Sequence, residues 1–211
     1  MKDLTLYTHP VSANSHRVKL LLSLLGVDHS ETSIDLFKNE QRTAEFAAVS
    51  PWAQIPVLRD GDLVLNESYA ILLYLAGEYG TDGGAQWWPE TPGDQARVAR
   101  WMFFTANMLH NGIGLARNEY GFGIPSGGQL AFQRGTKALH LLEAHLANRK
   151  WFELDRPTLA DVSVYPFIAV APEAGFDLSP YEHLSDWVAR FSEQPGFIKM
   201  PRVLPDKAPQ A

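Results

Sequence analysis

The segment His9-Pro10-Val11-Ser12-Ala13-Asn14-Ser15-His16-Arg17 lies between a short strand pattern, Leu4 to Tyr7, and an apolar helix pattern, Ser15 to Leu25. A strand end that runs into a helix start is where α/β sheets bind ligands. The first amides of the helix have no partners within it, and the helix dipole is positive there, so an anion is stabilised. A serine hydroxyl held at this point can donate to such an anion, a thiolate included. Ser12 or Ser15 can equally be a plain helix cap. A second constellation, Ser50-Pro51-Trp52-Ala53-Gln54-Ile55-Pro56-Val57-Leu58, puts a proline directly before a strand. Proline lacks an amide donor and fits best at an edge or in a cis turn. A cis Ile55–Pro56 bond would present the Ile55 backbone to an extended peptide ligand, which would pair with it as an added strand; an ordinary trans proline is the plainer reading. The third is Asn66-Glu67-Ser68 at a helix start. Glu67 can pair with a ligand ammonium while Ser68 and the free amides hold a carboxylate. An acidic first helical turn is the structural alternative.

The elements that must position these residues come in a definite order. After Leu4 to Tyr7 and the helix Ser15 to Leu25 (Val18, Leu21, Leu22 and Leu25 on one face), Gly26 stands where a C-cap glycine belongs. His29 to Ile34 is a polar strand expected at an edge, and Thr43 to Val49 a short helix. Pro56 to Arg59 and Leu63 to Asn66 flank Asp60-Gly61-Asp62 as a hairpin. Glu67 to Glu78 is an amphipathic helix closed by Gly80. The plan is βαβ-α-ββα, a sheet of about four strands with a right-handed crossover, an antiparallel hairpin and helices on both faces.

Composition changes after Gly80. Residues 81–93 are rich in glycine and proline and read as a linker; its Trp87 and Trp88 are expected to pack onto the body. No convincing strand pattern follows. Asp94 to about Glu119 and Gln129 to Ala147 are long helices joined by the glycine-rich loop Tyr120 to Gly128. Thr158-Leu159-Ala160-Asp161 has the form of a capping box, worth roughly 1 kcal/mol. Ser179-Pro180-Tyr181-Glu182 has the same form, with proline at the first helical position. The tail beyond Pro195 is expected to lie along the surface. The domains are therefore 1–80, α/β, and 94–211, all-helical.

With 211 residues, 45% of them apolar and 20% charged, the chain can bury one large or two modest cores. A net charge of −6 carries no basic footprint for nucleic acid or anionic lipid. The start lacks the apolar core of a secretion signal, and no apolar run reaches membrane-spanning length, so a cytoplasmic protein is expected. There is no cysteine, which excludes disulfide scaffolds and any mechanism that needs the protein's own thiolate. His9 and His16 have no ligand partners at metal-binding spacing, and no metal is expected.

In this order and spacing the motifs resemble the cytosolic glutathione S-transferase family over nearly the whole chain. Ser12-Ala13-Asn14-Ser15-His16-Arg17-Val18 is similar to the catalytic-serine segment of the theta, delta and zeta classes, Gln54-Ile55-Pro56 to the cis-proline motif, and Glu67-Ser68 to the motif for the γ-glutamyl end of glutathione. Thr158 to Asp161 resembles the capping box of the family's helical domain. The resemblance implies a thioredoxin-like N-terminal domain that binds glutathione, with Ser12 catalytic and Asn14, Ser15, Gln41, Gln54, Ile55, Pro56, Glu67 and Ser68 as the glutathione site. Gln41 stands where lysine or histidine commonly binds the glycine end, a weaker neutral contact. It also implies a homodimer packed through the helices that start at Glu67 and Asp94.

An electrophile would then lie between the first domain and the long helix, with Trp101, Phe104, Met108, Asn111 and Leu115 at helical spacing as candidates for its lining. Plain helical core is the competing reading for each. His110 and Arg117, nearby, are expected to be solvated or capping. The activity implied is attack of the glutathione thiolate on a small, largely apolar electrophile, in detoxification. A glutathione-dependent isomerase or peroxidase, or a non-catalytic glutathione-binding or interaction module, are the alternatives. The zeta pattern has a cysteine between the serines where Ala13 and Asn14 stand, which lowers the isomerase reading. Absence of cysteine opposes thiol transfer through a mixed disulfide.

Overall fold

The computed structural model describes residues 4–80 and 86–204. The part of the expected linker at 81–85 and the end of the tail at 205–211 lie outside the described residues. The chain runs β1 (Leu4–Thr8), α1 (Ala13–Leu24), β2 (Ser30–Ser33), a short 3-10 turn (Glu40–Arg42), α2 (Ala44–Ala47), β3 (Val57–Asp60), β4 (Leu63–Asn66) and α3 (Ser68–Tyr79). The helices α4 (Pro92–Phe104), α5 (Gly128–Leu146), α6 (Leu159–Val170) and α7 (Glu182–Ser192) follow.

The sheet has the order β2-β1-β3-β4. β1 pairs with β2 in parallel and with β3 antiparallel, and β4 pairs antiparallel with β3. β2, exposed throughout, is the expected edge. Alternation along β1 and β3 separates two cores. Leu6 opposes Leu58, and both pack with Val18 and Ile71 of α1 and α3. Tyr7 opposes Val57 and packs with Phe46 of α2 on the other face. α1 ends where Gly26 adopts φ +65° and Val27 N–H bonds back to the Leu22 carbonyl, a glycine-terminated C-cap.

In the second domain, the long helix starts two residues before the expected Asp94, because Thr91 accepts from Asp94 N–H and Pro92 takes the first helical position. After Phe104 it continues in wider i→i+5 turns over Thr105–Gly114 and again over Arg117–Gly121. There it meets α5 at glycine against glycine: a Cβ on Gly112 would lie 2.6 Å from the Gly135 backbone nitrogen. Trp87 is buried and Trp88 half-buried, so that part of the expected linker does pack onto the body.

Two expectations are corrected. Ser179-Pro180-Tyr181-Glu182 is not a capping box: α7 begins at Glu182, and the Ser179 hydroxyl and amide both bond to Asp177. The first amides of α7, His183 and Leu184, instead donate at 3.0 and 2.9 Å to the Glu143 carboxylate on α5, a charged tertiary acceptor that outcompetes a local hydroxyl. The segment after Pro195 does not simply lie along the surface either. Met200 is buried, its N–H reaches the Tyr165 hydroxyl, and Gly196 sits against the Ser23 carbonyl, where a Cβ would have no room.

Candidate functional site

Ser12 is the N-cap of α1. Its Oγ accepts the Ser15 N–H at 3.1 Å, with no acidic residue in the first turn. The hydroxyl hydrogen of Ser12 has no acceptor among the described residues, so the same side chain caps the helix as an acceptor and keeps its donor free. Capping and anion binding are thus compatible roles here. Ser12 is partly exposed, Asn14 is partly exposed in the same turn, and Ser15 is fully buried with an unpartnered Oγ.

The loop before Ser12 is held from the second domain. Arg117 donates from Nη1 to the Val11 carbonyl at 2.6 Å and from Nε to Glu173 Oε2 at 2.6 Å. Both charged side chains are buried, and burial pulls the Arg117 pKa down against the Glu173 charge. The other Glu173 oxygen accepts Val203 N–H at 2.9 Å, so one carboxylate joins the tail, the helical domain and the Ser12 loop. The solvated or capping role expected for Arg117 is therefore incorrect. Its charge repeats with no sequence neighbour, and only the crossing of the domains brings Glu173, 56 positions later, to it.

Of the other predicted groups, the cis-proline turn and the start of α3 are tied together. The Ile55–Pro56 bond is cis. Ser50 lies fully buried behind that turn, its Oγ 3.1 Å from the Gln54 carbonyl and 2.9 Å from Asn66 Oδ1, tying the turn to the end of β4. Glu67 caps α3 with a positive φ of 70°, a conformation that costs about 1–3 kcal/mol in a non-glycine residue and clusters at functional sites. Ser68 is buried at the first position of α3, with Arg17 Nη1 donating to its Oγ at 3.4 Å. Gln54 is exposed; Gln41 is half-buried with an unpartnered Oε1.

Of the residues expected to line an electrophile pocket, Trp101 belongs to the helical core. Its ring packs on Phe104, His145 and Phe152, and its Nε1 donates to Glu153 at 2.9 Å. Met108 and Leu115 are half-buried against that core, and Asn111 bonds along the helix to Asn107. His110 is not solvated as expected. It stacks edge-on with Phe167, and burial, with the Arg17 charge adding to it, lowers its pKa against an opposing pull from Glu67. Sequence reasoning missed an aromatic rim beside Ser12: His9 against Phe37 at 5.7 Å, Phe37 against Phe122 at 5.6 Å, and the Arg117 guanidinium 5.0 Å over Phe122. Phe37 has no periodic signal in its loop, and its meeting with Phe122 exists only after the domains dock.

The comparisons with known proteins agree along the chain. The family models described as "Glutathione S-transferase, N-terminal domain" and "Glutathione S-transferase, C-terminal domain" match residues 2–77 and 130–195. The chain is 33% identical to Glutathione S-transferase 2 of Anopheles gambiae, covering 87% of this chain and 88% of that protein. It is 31% identical to Glutathione S-transferase 3 of Zea mays, covering 97% and 96%. Among solved structures, a glutathione S-transferase of Pseudomonas fluorescens superposes with a TM-score of 0.86 at 30% identity, over 94% of this chain and 99% of that one. A glutathione transferase homolog of Drosophila mojavensis, solved with bound glutathione, has a TM-score of 0.83 at 27% identity over 92% and 90%. With a thioredoxin-like first domain, a helical second domain and homologues of this kind, the chain belongs to the glutathione S-transferase family.

Proposed function

We propose that this protein binds glutathione along the face formed by Ser12, the cis-proline turn and the start of α3, and directs its thiolate onto a small, largely apolar electrophile. The observation that carries this reading is the unspent hydroxyl hydrogen of Ser12 at an α1 N-terminus without acidic residues. A free cysteine thiol titrates near ~8.5, and lowering that by about two units takes roughly 2.7 kcal/mol of preferential anion stabilisation. A hydroxyl donor and the positive end of a helix supply interactions of that size. Ser15 is buried and is the weaker candidate. The γ-glutamyl ammonium then pairs with Glu67, its carboxylate meets Ser68 and the α3 amides, and the cysteinyl backbone pairs beside Ile55. Asn14, Gln41 and Gln54 border the remainder, Gln41 through its amide NH2, the donor a carboxylate requires.

In the reaction the thiol proton leaves to solvent, the sulfur forms a bond to the electrophilic carbon, and a leaving group departs with its electron pair. The rim of His9, Phe37 and Phe122, contiguous with the Ser12 loop through Val11, supports an apolar or aromatic electrophile. Met108, Asn111 and Leu115 are proposed to continue that wall.

We also propose a cytoplasmic homodimer. Its support is apolar exposure on the two helices that would pack across the two-fold axis: Phe103 on α4 is 70% exposed and Leu73 on α3 39%. The test of the catalytic reading is titration with glutathione while thiolate absorbance is followed against pH. A saturable signal with a pKa well below that of free glutathione is expected, and its loss in Ser12→Ala. An unchanged pKa in Ser12→Ala overturns the assignment of Ser12.

A further inference from the structure

Arg17 is buried completely, yet no carboxylate among the described residues is bonded to it. Among the described residues its Nε and Nη2 have no hydrogen-bond partner, and Nη1 reaches only the Ser68 hydroxyl at 3.4 Å. The guanidinium is stacked 4.3 Å from the Tyr69 ring centroid and 5.3 Å from that of Phe167. Cation–π contact of this kind offsets part of the cost of burying a charge, but a buried cation without an anion is expensive and unusual. Such an orphaned group calls for an explanation. The nearest acidic group of the α3 start, Glu67, is exposed and turned to Ser68 Oγ at 3.4 Å and to Tyr69 N–H at 3.5 Å.

We infer that Arg17 is a positioning residue for the carboxylate at the γ-glutamyl end of glutathione, acting through Ser68. The inference rests on the glutathione reading of the site. A guanidinium has only donors, so its contact occupies a lone pair of Ser68 Oγ and leaves the hydroxyl hydrogen to point outward. That hydrogen now has only the long contact to Glu67, and a bound carboxylate replaces it with a short, charge-assisted bond. The cation behind the hydroxyl strengthens the donor by polarisation, and its charge adds to the positive end of the α3 dipole. The missing counter-charge is thus brought by the ligand. Neither Ser68 as a helix-start residue nor Arg17 as one more charge on α1 reveals this arrangement in the sequence; α1 has to lie beside α3 for the two to meet.

The consequence is selectivity for a carboxylate at that end. The experiment compares, by calorimetry, the dissociation constants of glutathione and of its analogue in which that carboxylate is a carboxamide. It uses the native protein, Arg17→Gln, Arg17→Lys and Ser68→Ala. The native protein is expected to prefer glutathione by about ten- to hundredfold, the range of a charged hydrogen bond. Arg17→Gln should lose most of that preference by weakening glutathione, with the carboxamide affinity within about threefold of native. Arg17→Lys, which keeps the charge, should retain it. A purely structural Arg17 predicts instead that both ligands weaken in parallel, and that result overturns the proposal while leaving glutathione binding intact. If Arg17→Gln does not fold, Arg17→Lys decides: retained preference supports the relay, and loss to the level of Ser68→Ala overturns it. No glutathione binding by the native protein would instead bring down the glutathione reading together with this inference.

Discussion

Among the helix N-termini that start with a hydroxyl cap, those of α6 and α1 have opposite fates. At α6, Thr158 accepts the Ala160 N–H, and its own hydroxyl points to Asp161. Asp161, fully buried, also accepts from Thr158 N–H at 2.8 Å, Trp187 Nε1 at 2.8 Å and Phe152 N–H at 3.4 Å. Burial outweighs these bonds and pushes the Asp161 pKa up to about 6. At α1, Ser12 accepts one amide and nothing closes the turn: the third helical position is Ser15, not an acid, and the hydroxyl hydrogen stays unspent. The first terminus carries its own anion and is finished on folding. The second lacks one and is complementary to an anion from outside. A shared cap residue therefore says little about role; the residue at the third helical position and its burial decide it. The open terminus is held from behind, by Arg117 on the Val11 carbonyl and by His16, whose Nε2 lies 3.2 Å from the Ile198 carbonyl.

Removing the acid of the sealed terminus should have the largest effect on stability. Asp161→Ala leaves four buried donors without that acceptor, the Thr158 amide and hydroxyl, the Phe152 amide and Trp187 Nε1, and a loss of about 3–5 kcal/mol is expected in urea denaturation. The pKa of a thiolate bound at Ser12 should stay where it is in the folded variant; if it moves, the two termini are coupled and the contrast breaks down.

The next effect belongs to the open terminus and depends on pH. Burial lowers the His16 pKa to about 4, below its ordinary 6.5. Between those values the unfolded chain binds more protons, so the contribution of neutral His16 is full above 6.5 and is lost as pH falls through about 4. It amounts to about 3 kcal/mol at most. The raised Asp161 pKa works in the opposite direction, since its contribution is lost as pH rises through about 6. Comparing native protein with His16→Gln cancels that second effect. The stability advantage of the native protein over His16→Gln should shrink on acidification from 6.5 to 4, and a constant difference would show that His16 does not anchor α1 by staying neutral.

The smallest effect on stability is expected from Ser12→Asp. Aspartate is as good an N-cap as serine, so stability should change by no more than about 0.5 kcal/mol. A carboxylate at that place repels a thiolate, however, and the low-pKa absorbance signal should vanish. A stable variant that still lowers the thiol pKa would show that the open cap is not where the anion sits.

Much of the fold was legible because it depends on local periodicity and local capping. The strands of the first domain, Gly26 at the end of α1 and the Thr158 box all follow from residues within a few positions of one another. The candidate site was legible wherever a motif is contiguous, as at Ser12, Ile55-Pro56 and Glu67-Ser68. The lining proposed for an electrophile was not: helical spacing left Trp101 open between such a lining and plain core, and packing put it in the core against Phe152. Periodicity identifies an apolar face but not the neighbour that covers it.

By itself the sequence determined the order of elements, the sealed cap at α6 and a serine at the start of α1 with no acid in the first turn, since each is set by short-range sterics and hydrogen bonding. Only the tertiary structure decided that Arg117, paired with Glu173, donates to the Val11 carbonyl, that Glu143 caps α7, that Phe37 meets Phe122 and that Arg17 lies buried behind Ser68. The physical reason is common to all four. Charges and aromatic rings find partners far away in the chain, and the energy of such a pair depends on burial and distance, which exist only once the elements have packed, within one domain for Glu143 and Arg17 and across the two domains for Arg117 and Phe37.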